Sequence, residues 1–269
     1  MKIAVCCPVK MENKYLDEWY DWYFNTLHVD EIFLYDNNNA DGEFPIVRKN
    51  VTLVGKWRGV TGNILLDMYT HCYKTYIKDN FDWCIYADAD EFLDIRETNN
   101  NLREFLSLEK FKDADEIVVN WENFDDNDYI YYDDKPCMER FTRKIPENID
   151  LIDKHVKPII SGKTGDRSFN FYRNGHPHCY YIDFGKCIDV LGNPHFISSP
   201  FNENYRNTHK IASIKHYNMK TIDEYVHNKM IKGQCDRDKK DYVHNALMFF
   251  GLNKRTALKE KFLRENNLL

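Results

Sequence analysis

No stretch of this sequence approaches the roughly 20 consecutive apolar residues needed to cross a bilayer, so no membrane-spanning helix is expected. The opening Met1-Lys2-Ile3-Ala4-Val5-Cys6-Cys7-Pro8-Val9 is too short for a secretory leader, and a cytoplasmic location is the expectation. Positive charge is not in excess either. With a formal net charge of −6 and a pI near 5.9, nonspecific binding to nucleic acid is not expected. Cys6, Cys7, Cys72, Cys84, Cys137, Cys179, Cys187 and Cys235 contain no Cys-x-x-Cys pair, which argues against structural zinc, and several lie in apolar runs. They read as reduced, buried thiols. A Gly-x-x-x-x-Gly-Lys-Ser/Thr phosphate loop and internal repeats are also missing.

What is present is an alternation of short apolar runs and helical patterns over the first half, which predicts an α/β fold. Its 269 residues suffice for one large domain with a C-terminal appendage, divided at 1–220 and 221–269. Strands are predicted over 2–8, 31–35, 51–55 and 116–121. Helices are predicted over 13–27, with Leu16, Trp19, Tyr23 and Leu27 on one face and Asn13 as N-cap, and over 62–78, with Leu65, Tyr69, Cys72 and Tyr76 aligned. Glu122, Asp125, Asp126, Asp128, Asp133 and Asp134 suggest a solvated loop, and 136–200 suggests short strands and loops. Three helices, over 221–232, 239–250 and 255–266, are expected in the tail. The chain's 18 tyrosines and 17 phenylalanines fit a ring-rich core and also suit stacking on bases or sugars.

The most informative segment is Trp83-Cys84-Ile85-Tyr86-Ala87-Asp88-Ala89-Asp90-Glu91-Phe92, an apolar run that ends in three acids. In open α/β sheets, ligands collect at the carboxyl ends of strands. Two carboxylates one residue apart repel each other unless a cation lies between them, and hard oxygen donors suit Mg²⁺ or Mn²⁺. Asp36 ends the Ile32-Phe33-Leu34-Tyr35 run and is expected on the same edge, on an adjacent strand, where it would accept from a ribose hydroxyl or a base, or organise an Asx turn.

The succession of Lys10-Met11-Glu12-Asn13-Lys14-Tyr15-Leu16-Asp17-Glu18-Trp19, Ile32 to Asn38, Trp83 to Leu93, Val118-Val119-Asn120-Trp121-Glu122-Asn123-Phe124, and Ile214-Lys215-His216-Tyr217-Asn218-Met219-Lys220-Thr221 with Glu224, Tyr225 and Lys229 resembles the motifs of family 2 and family 92 glycosyltransferases. The resemblance spans residues 2 to about 232. It implies a GT-A type fold, Rossmann-like, with a mixed central sheet flanked by helices. Residues 1–121 would be the nucleotide-sugar half and 122–220 the acceptor half. It further implies a UDP-sugar donor, Mn²⁺ or Mg²⁺, and inverting transfer of a sugar such as galactose to a glycan or lipid-linked saccharide, as in surface polysaccharide synthesis. Pro8, Asp36, Asp88 and Lys220 would contact the nucleotide, Asp88, Asp90 and His216 the metal, and Asp166 would be the base, with Asp150, Asp153 and Asp183 as competitors.

Several residues have ordinary readings beside the functional one. A lone histidine such as His216 is usually structural, and exposed lysines such as Lys215, Lys220 and Lys229 are usually solvated. His176-Pro177-His178 suits a loop facing the acceptor better than a metal pair, and His155 reads as a surface residue. Lys254, Arg255, Lys259, Lys261 and Arg264 in the tail suggest peripheral attraction to the inner membrane face, or simply a charged helix. The rival functions are a metal-dependent nucleotidyl- or phosphotransferase, a two-carboxylate glycosidase, and a noncatalytic carbohydrate-binding protein.

Overall fold

The computed structural model describes residues 1–37, 44–55, 57, 64–146, 150–163, 169–170, 178, 181–182, 186–196, 199–231 and 242–268. Its strands are β1 (Ile3–Val9), β2 (Glu31–Asp36), β3 (Val51–Val54), β4 (Trp83–Tyr86), β5 (Glu91–Ile95), β6 (Glu116–Asn123), β7 (Val156–Ser161), β8 (Phe169–Asn170), β9 (Tyr181–Ile182), β10 (Cys187–Asp189) and β11 (Ala212–His216). The α-helices are α1 (Asn13–Asp21), α2 (Ile64–Cys72), α3 (Leu102–Leu106), α4 (Cys137–Arg140), α5 (Tyr205–Thr208), α6 (Ile222–Tyr225), α7 (Tyr242–Leu252) and α8 (Ala257–Glu265). Wider π-type turns extend α1 over Trp22–Thr26, α2 over Tyr73–Ile77 and α6 over Val226–Ile231.

The architecture is mixed α/β, compatible with a Rossmann-like fold. The main sheet runs β3-β2-β1-β4-β7-β6-β11-β5, with β10 beside β6. The first four strands are parallel; β7 runs antiparallel to both β4 and β6, β11 is parallel to β6, and β5 is antiparallel to β11. β1, buried at every position, reads as a continuous apolar run because both of its faces are covered. Its alternate residues Ile3, Val5, Cys7 and Val9 join Ile32, Leu34, Ile85 and the α1 aromatics in one core. Ala4 and Cys6 join Phe33, Tyr35, Cys84, Tyr86 and the apolar side of α2 in another. The two crossover helices thus cover opposite faces of the sheet, as a doubly wound strand order requires. Trp19, Tyr20 and Tyr23 are completely buried, and each ring contributes about 1.5–3 kcal/mol by leaving water.

The chain moves outward from β1 to β2 and β3 on one side, then returns to place β4 on the other, so the strand order reverses between β1 and β4. The reversal falls between the carboxyl ends of β1 and β4, beside Pro8 and Asp88. Asp36 is not on an adjacent strand as expected. β1 intervenes, with Val9 opposite Asp36, because β1 pairs with both β2 and β4.

Several sequence expectations are corrected. Asn13 is the first helical residue rather than the cap, and its amide instead ties down the 44–46 segment through Phe44 O and Ile46 N. In the expected solvated loop, Glu122, Asp125 and Asp126 are buried, because cations reach them from distant segments: Arg96 and Lys144 pair with Glu122, Arg143 with Asp125, and Lys259 with Asp126. Lys259 is accordingly buried, and Arg255 and Arg264 pair with Glu260, so the tail helix does not present all five of its cations to solvent. The six cysteines among the described residues, Cys6, Cys7, Cys72, Cys84, Cys137 and Cys187, are all buried. Among the described residues, no helix is long and apolar enough to cross a membrane.

Candidate functional site

The acidic turn after β4 is held by the aromatic stripe of α1. Trp19 Nε1 donates to the carbonyl oxygens of Asp88 and Glu91, at 3.1 and 3.0 Å, and Tyr23 Oη donates to Glu91 O. The helix pattern that buries these rings therefore also fixes the backbone that carries the acids. The turn closes through Glu91 N to Asp88 O and Asp88 N to Glu91 Oε2, and β5 then leaves antiparallel to β11, with Glu91 opposite His216. His216 in turn lies beside Asn123 of β6. Asn123, His216 and Glu91 consequently form a row across three neighbouring strands.

Three lysines from separate elements meet the acids. Lys157, on β7 and almost wholly buried, places Nζ 3.0 Å from Asp88 Oδ2 and 3.3 Å from Glu91 Oε2. Lys220 and Lys229 lie 3.8 and 3.6 Å from Asp90 Oδ2. Lys220 follows β11 in the left-handed region at φ 50°, a conformation rare for a lysine, and its ammonium sits over the Tyr15 ring. The segment carrying both lysines is anchored from behind. Thr221 and Glu224 form a reciprocal cap at the start of α6, Arg140 grips Glu224 with both terminal nitrogens, at 2.8 and 2.9 Å, and Tyr15 Oη donates to Glu224.

Burial and charge push these groups apart. Burial alone disfavours ionisation of Asp90, but Lys229, Lys220 and Lys157 overcome it and hold the carboxyl far below its usual range. Glu91, completely enclosed, is pushed by burial up to about 8 in spite of Lys157. Burial, reinforced by the lysines against the pull of Asp90, lowers His216 to about 3, so its imidazole is neutral at pH 7. Lys157 is raised: desolvation opposes its charge, and Asp88 and Glu91 outweigh that penalty.

Of the residues the sequence nominated, Lys220 and His216 reach Asp90, and Asp88 lies two positions before it on the same turn, while Asp36 and Pro8 sit on β2 and β1 at the same edge. Lys215 does not join them. It alternates with His216 along β11 and pairs with Asp94 at 3.3 Å. His155 is half-buried, stacking on Trp121 at 4.9 Å, and His178 meets the edge of the same ring. Asp153 is buried and accepts from Asn123, so it is spoken for within the fold rather than available as a base. Asp166, Asp183 and His176 lie outside the described residues, as does the Asp150 side chain. Lys157 was missed altogether. The one charge inside the apolar run Val156–Ile160 was its signal, since a lysine there must find carboxylates once the strand is buried.

Among the described residues, no group of three or more His, Cys, Asp or Glu side chains could hold a metal ion. Two donors do fit one in part. His216 Nε2 faces Asp90 Oδ1 at 3.8 Å and Glu91 Oε1 at 4.0 Å, and that glutamate oxygen, buried, has no hydrogen-bond partner. Such unsatisfied polarity suits a hydrated divalent ion, which binds through one or two protein ligands and completes its shell with water and substrate oxygens. Asp88, engaged by Lys157, fits less well than Asp90.

The sequence matches no family model and no curated protein. Among solved structures, the chain is similar to S. aureus TarS 1-349, with TM-score 0.33 and 14% identity over 60% of this chain and 47% of that one. It therefore spans about half the length of that protein chain. It is also similar to HddC from Yersinia pseudotuberculosis, with TM-score 0.34 and 16% identity over 77% of this chain and 98% of the other. Likenesses of this degree say nothing of the chemistry.

Proposed function

We propose that this chain is a glycosyltransferase of the GT-A type that takes its sugar from a UDP-sugar, galactose being the first candidate, and passes it with inversion to a glycan or lipid-linked saccharide, in surface polysaccharide synthesis. The observation that carries the reading is the convergence of Lys220, Lys229 and His216 on Asp90 at the carboxyl end of β4, beside the reversal of strand order. A nucleoside diphosphate needs such a place, because negative charge grows on it as the sugar departs. The order of motifs shared with family 2 and family 92 enzymes supports sugar, rather than phosphoryl, as the group moved.

In this reading Asp90 and His216 hold Mn²⁺ or Mg²⁺, and the ion, when bound, offsets charge on the departing diphosphate. Lys220 and Lys229 face the same phosphate oxygens from the side of α6. Lys157 keeps Asp88 and Glu91 compensated in the absence of substrate, so the acidic turn is formed before the donor arrives. Asp36 and Pro8 meet the nucleoside from the ends of β2 and β1, and Asp166 takes the proton of the attacking hydroxyl. A two-carboxylate glycosidase is disfavoured on one point: Glu91, the carboxyl held protonated near neutrality, is completely buried and has no path to a glycosidic oxygen.

The test is a donor screen across UDP-, GDP- and CMP-sugars with Mn²⁺ or with chelator, following free nucleotide and free or transferred sugar. Release of UDP with metal, and none from the Asp90→Asn variant, is the expected result. Release of pyrophosphate or orthophosphate from the donor instead would assign the site to phosphoryl chemistry.

A further inference from the structure

The hydrogen bonds behind His216 determine which of its nitrogens carries the proton. Asn123 is buried between His216 and Asp153. Its backbone N–H and its side-chain Nδ2 both donate to Asp153 Oδ1, at 2.9 and 2.6 Å. The opposite amide orientation would set two acceptor oxygens 2.6 Å apart, so Asn123 Oδ1 must be the atom that faces His216, 2.8 Å from Nδ1. A carbonyl oxygen only accepts. Nδ1 therefore bears the hydrogen, and Nε2 turns a lone pair toward Asp90 and Glu91.

We infer that Asn123 and Asp153 are positioning residues that lock His216 in the Nδ1–H tautomer, keeping Nε2 bare on the side of Asp90. The inference deepens the proposed function and rests on it for its purpose, since a bare Nε2 is the form that ligates a cation. Without the lock, the neutral ring gains by moving its proton to Nε2 and donating to the Asp90 carboxylate it faces, and the lone pair is lost. Asp153 acts on His216 through the amide of Asn123, which joins the two. Removing the Asp153 carboxylate frees that amide to turn and present Nδ2 to His216 Nδ1, which then has to accept. The tautomer inverts although no atom beside the ring has been changed.

The tautomer can be read directly at pH 7 from long-range proton–nitrogen correlations in ¹⁵N-histidine-labelled protein, with the His216 signals assigned by their loss in His216→Gln. The wild type should show Nδ1–H. Asp153→Ala and Asn123→Leu should shift His216 toward Nε2–H, and both should bind Mn²⁺ with UDP about 10–100-fold more weakly. Asn123→Gln, able to offer the same carbonyl oxygen, should lose less. A wild-type His216 with its proton on Nε2 overturns the inference without any variant having to fold, and so does a well-folded Asp153→Ala protein that keeps Nδ1–H. A wild type that shows Nδ1–H yet binds no Mn²⁺ upholds the lock and counts against the metal-dependent function, so the two failures are distinguishable.

Discussion

Replacing Lys157 with Met tests whether a resident ammonium holds the acidic turn together. The substitution keeps an unbranched chain in β7 but removes the charge lying 3.0 Å from Asp88 and 3.3 Å from Glu91. At an effective dielectric constant of about 20, each such pair is worth about 5 kcal/mol before desolvation. Asp88 is one-third exposed, and solvent reduces its share to about 1 kcal/mol. Glu91 has no such screening. Removing one partner of a buried ion pair costs about 3–5 kcal/mol, but Glu91, raised to about 8, is already largely protonated at pH 7, so that cost applies above pH 8. The expected loss is therefore about 1 kcal/mol at pH 7, from Asp88, and about 3 kcal/mol at pH 9, where Glu91 is ionised in the wild type, the latter roughly 10 °C in Tm for a chain of this size. Adding Glu91→Gln should restore about 1–3 kcal/mol of the loss at pH 9, because the orphaned carboxylate is gone, and little at pH 7. Urea unfolding of the wild type, both single variants and the double variant at pH 7 and 9 provides the measurement. A Lys157→Met protein within about 0.5 kcal/mol of the wild type at both pH values, or strictly additive effects at pH 9, would refute the reasoning.

Three further expectations follow from the same contacts. Lys229→Ala should weaken UDP binding about tenfold, with Tm within a few degrees of the wild type, and reduce the salt dependence measured by calorimetric titration; unchanged affinity would remove Lys229 from the phosphate site. Arg140→Lys should cost about 3 kcal/mol in thermal unfolding despite the retained charge, since one ammonium cannot replace the two-pronged grip on buried Glu224; a loss under about 1 kcal/mol contradicts that account. The pH profile has two opposing parts. His216, lowered from 6.5 to about 3, stabilises the fold above pH 6.5, and that contribution is lost as pH falls toward 3. Glu91, raised from 4.5 to about 8, stabilises it fully below pH 4.5, and that contribution is lost as pH rises toward 8. Relative to the wild type, Glu91→Gln should therefore gain about 1.4 kcal/mol per pH unit across that window, and a constant difference between the two would show that Glu91 does not titrate there.

Local patterning made much of the first half legible. The apolar run of β1, the aromatic spacing of α1 and the abrupt change from Tyr86 to Asp88 are each set by a few neighbouring residues, and the corresponding elements lie within a few residues of the expected bounds. What escaped depends on long-range pairing. Lys157 reaches Asp88 only because β7 inserts antiparallel between β4 and β6, a placement that no periodicity encodes. Asp126 and Lys259 neutralise each other in the interior although 133 positions apart, so a run of acids that looks solvated is not. The row of Asn123, His216 and Glu91 likewise exists only in the register of β6, β11 and β5. His216 could be nominated from its surrounding block, but the partner that sets its proton could not. Neighbouring residues forecast where the acids lie, whereas the cations and amides that tune them arrive from distant strands.

The central claim is that Asp90 and the groups around it hold a nucleoside diphosphate together with a divalent ion. Calorimetric titration of UDP into the wild type and Asp90→Asn, each with Mn²⁺ and again after chelation, tests it most directly. The wild type should bind UDP at least tenfold more tightly with Mn²⁺ than without, and Asp90→Asn should show no such gain. Equal affinity with and without metal in the wild type, or a full metal-dependent gain in Asp90→Asn, would contradict the claim.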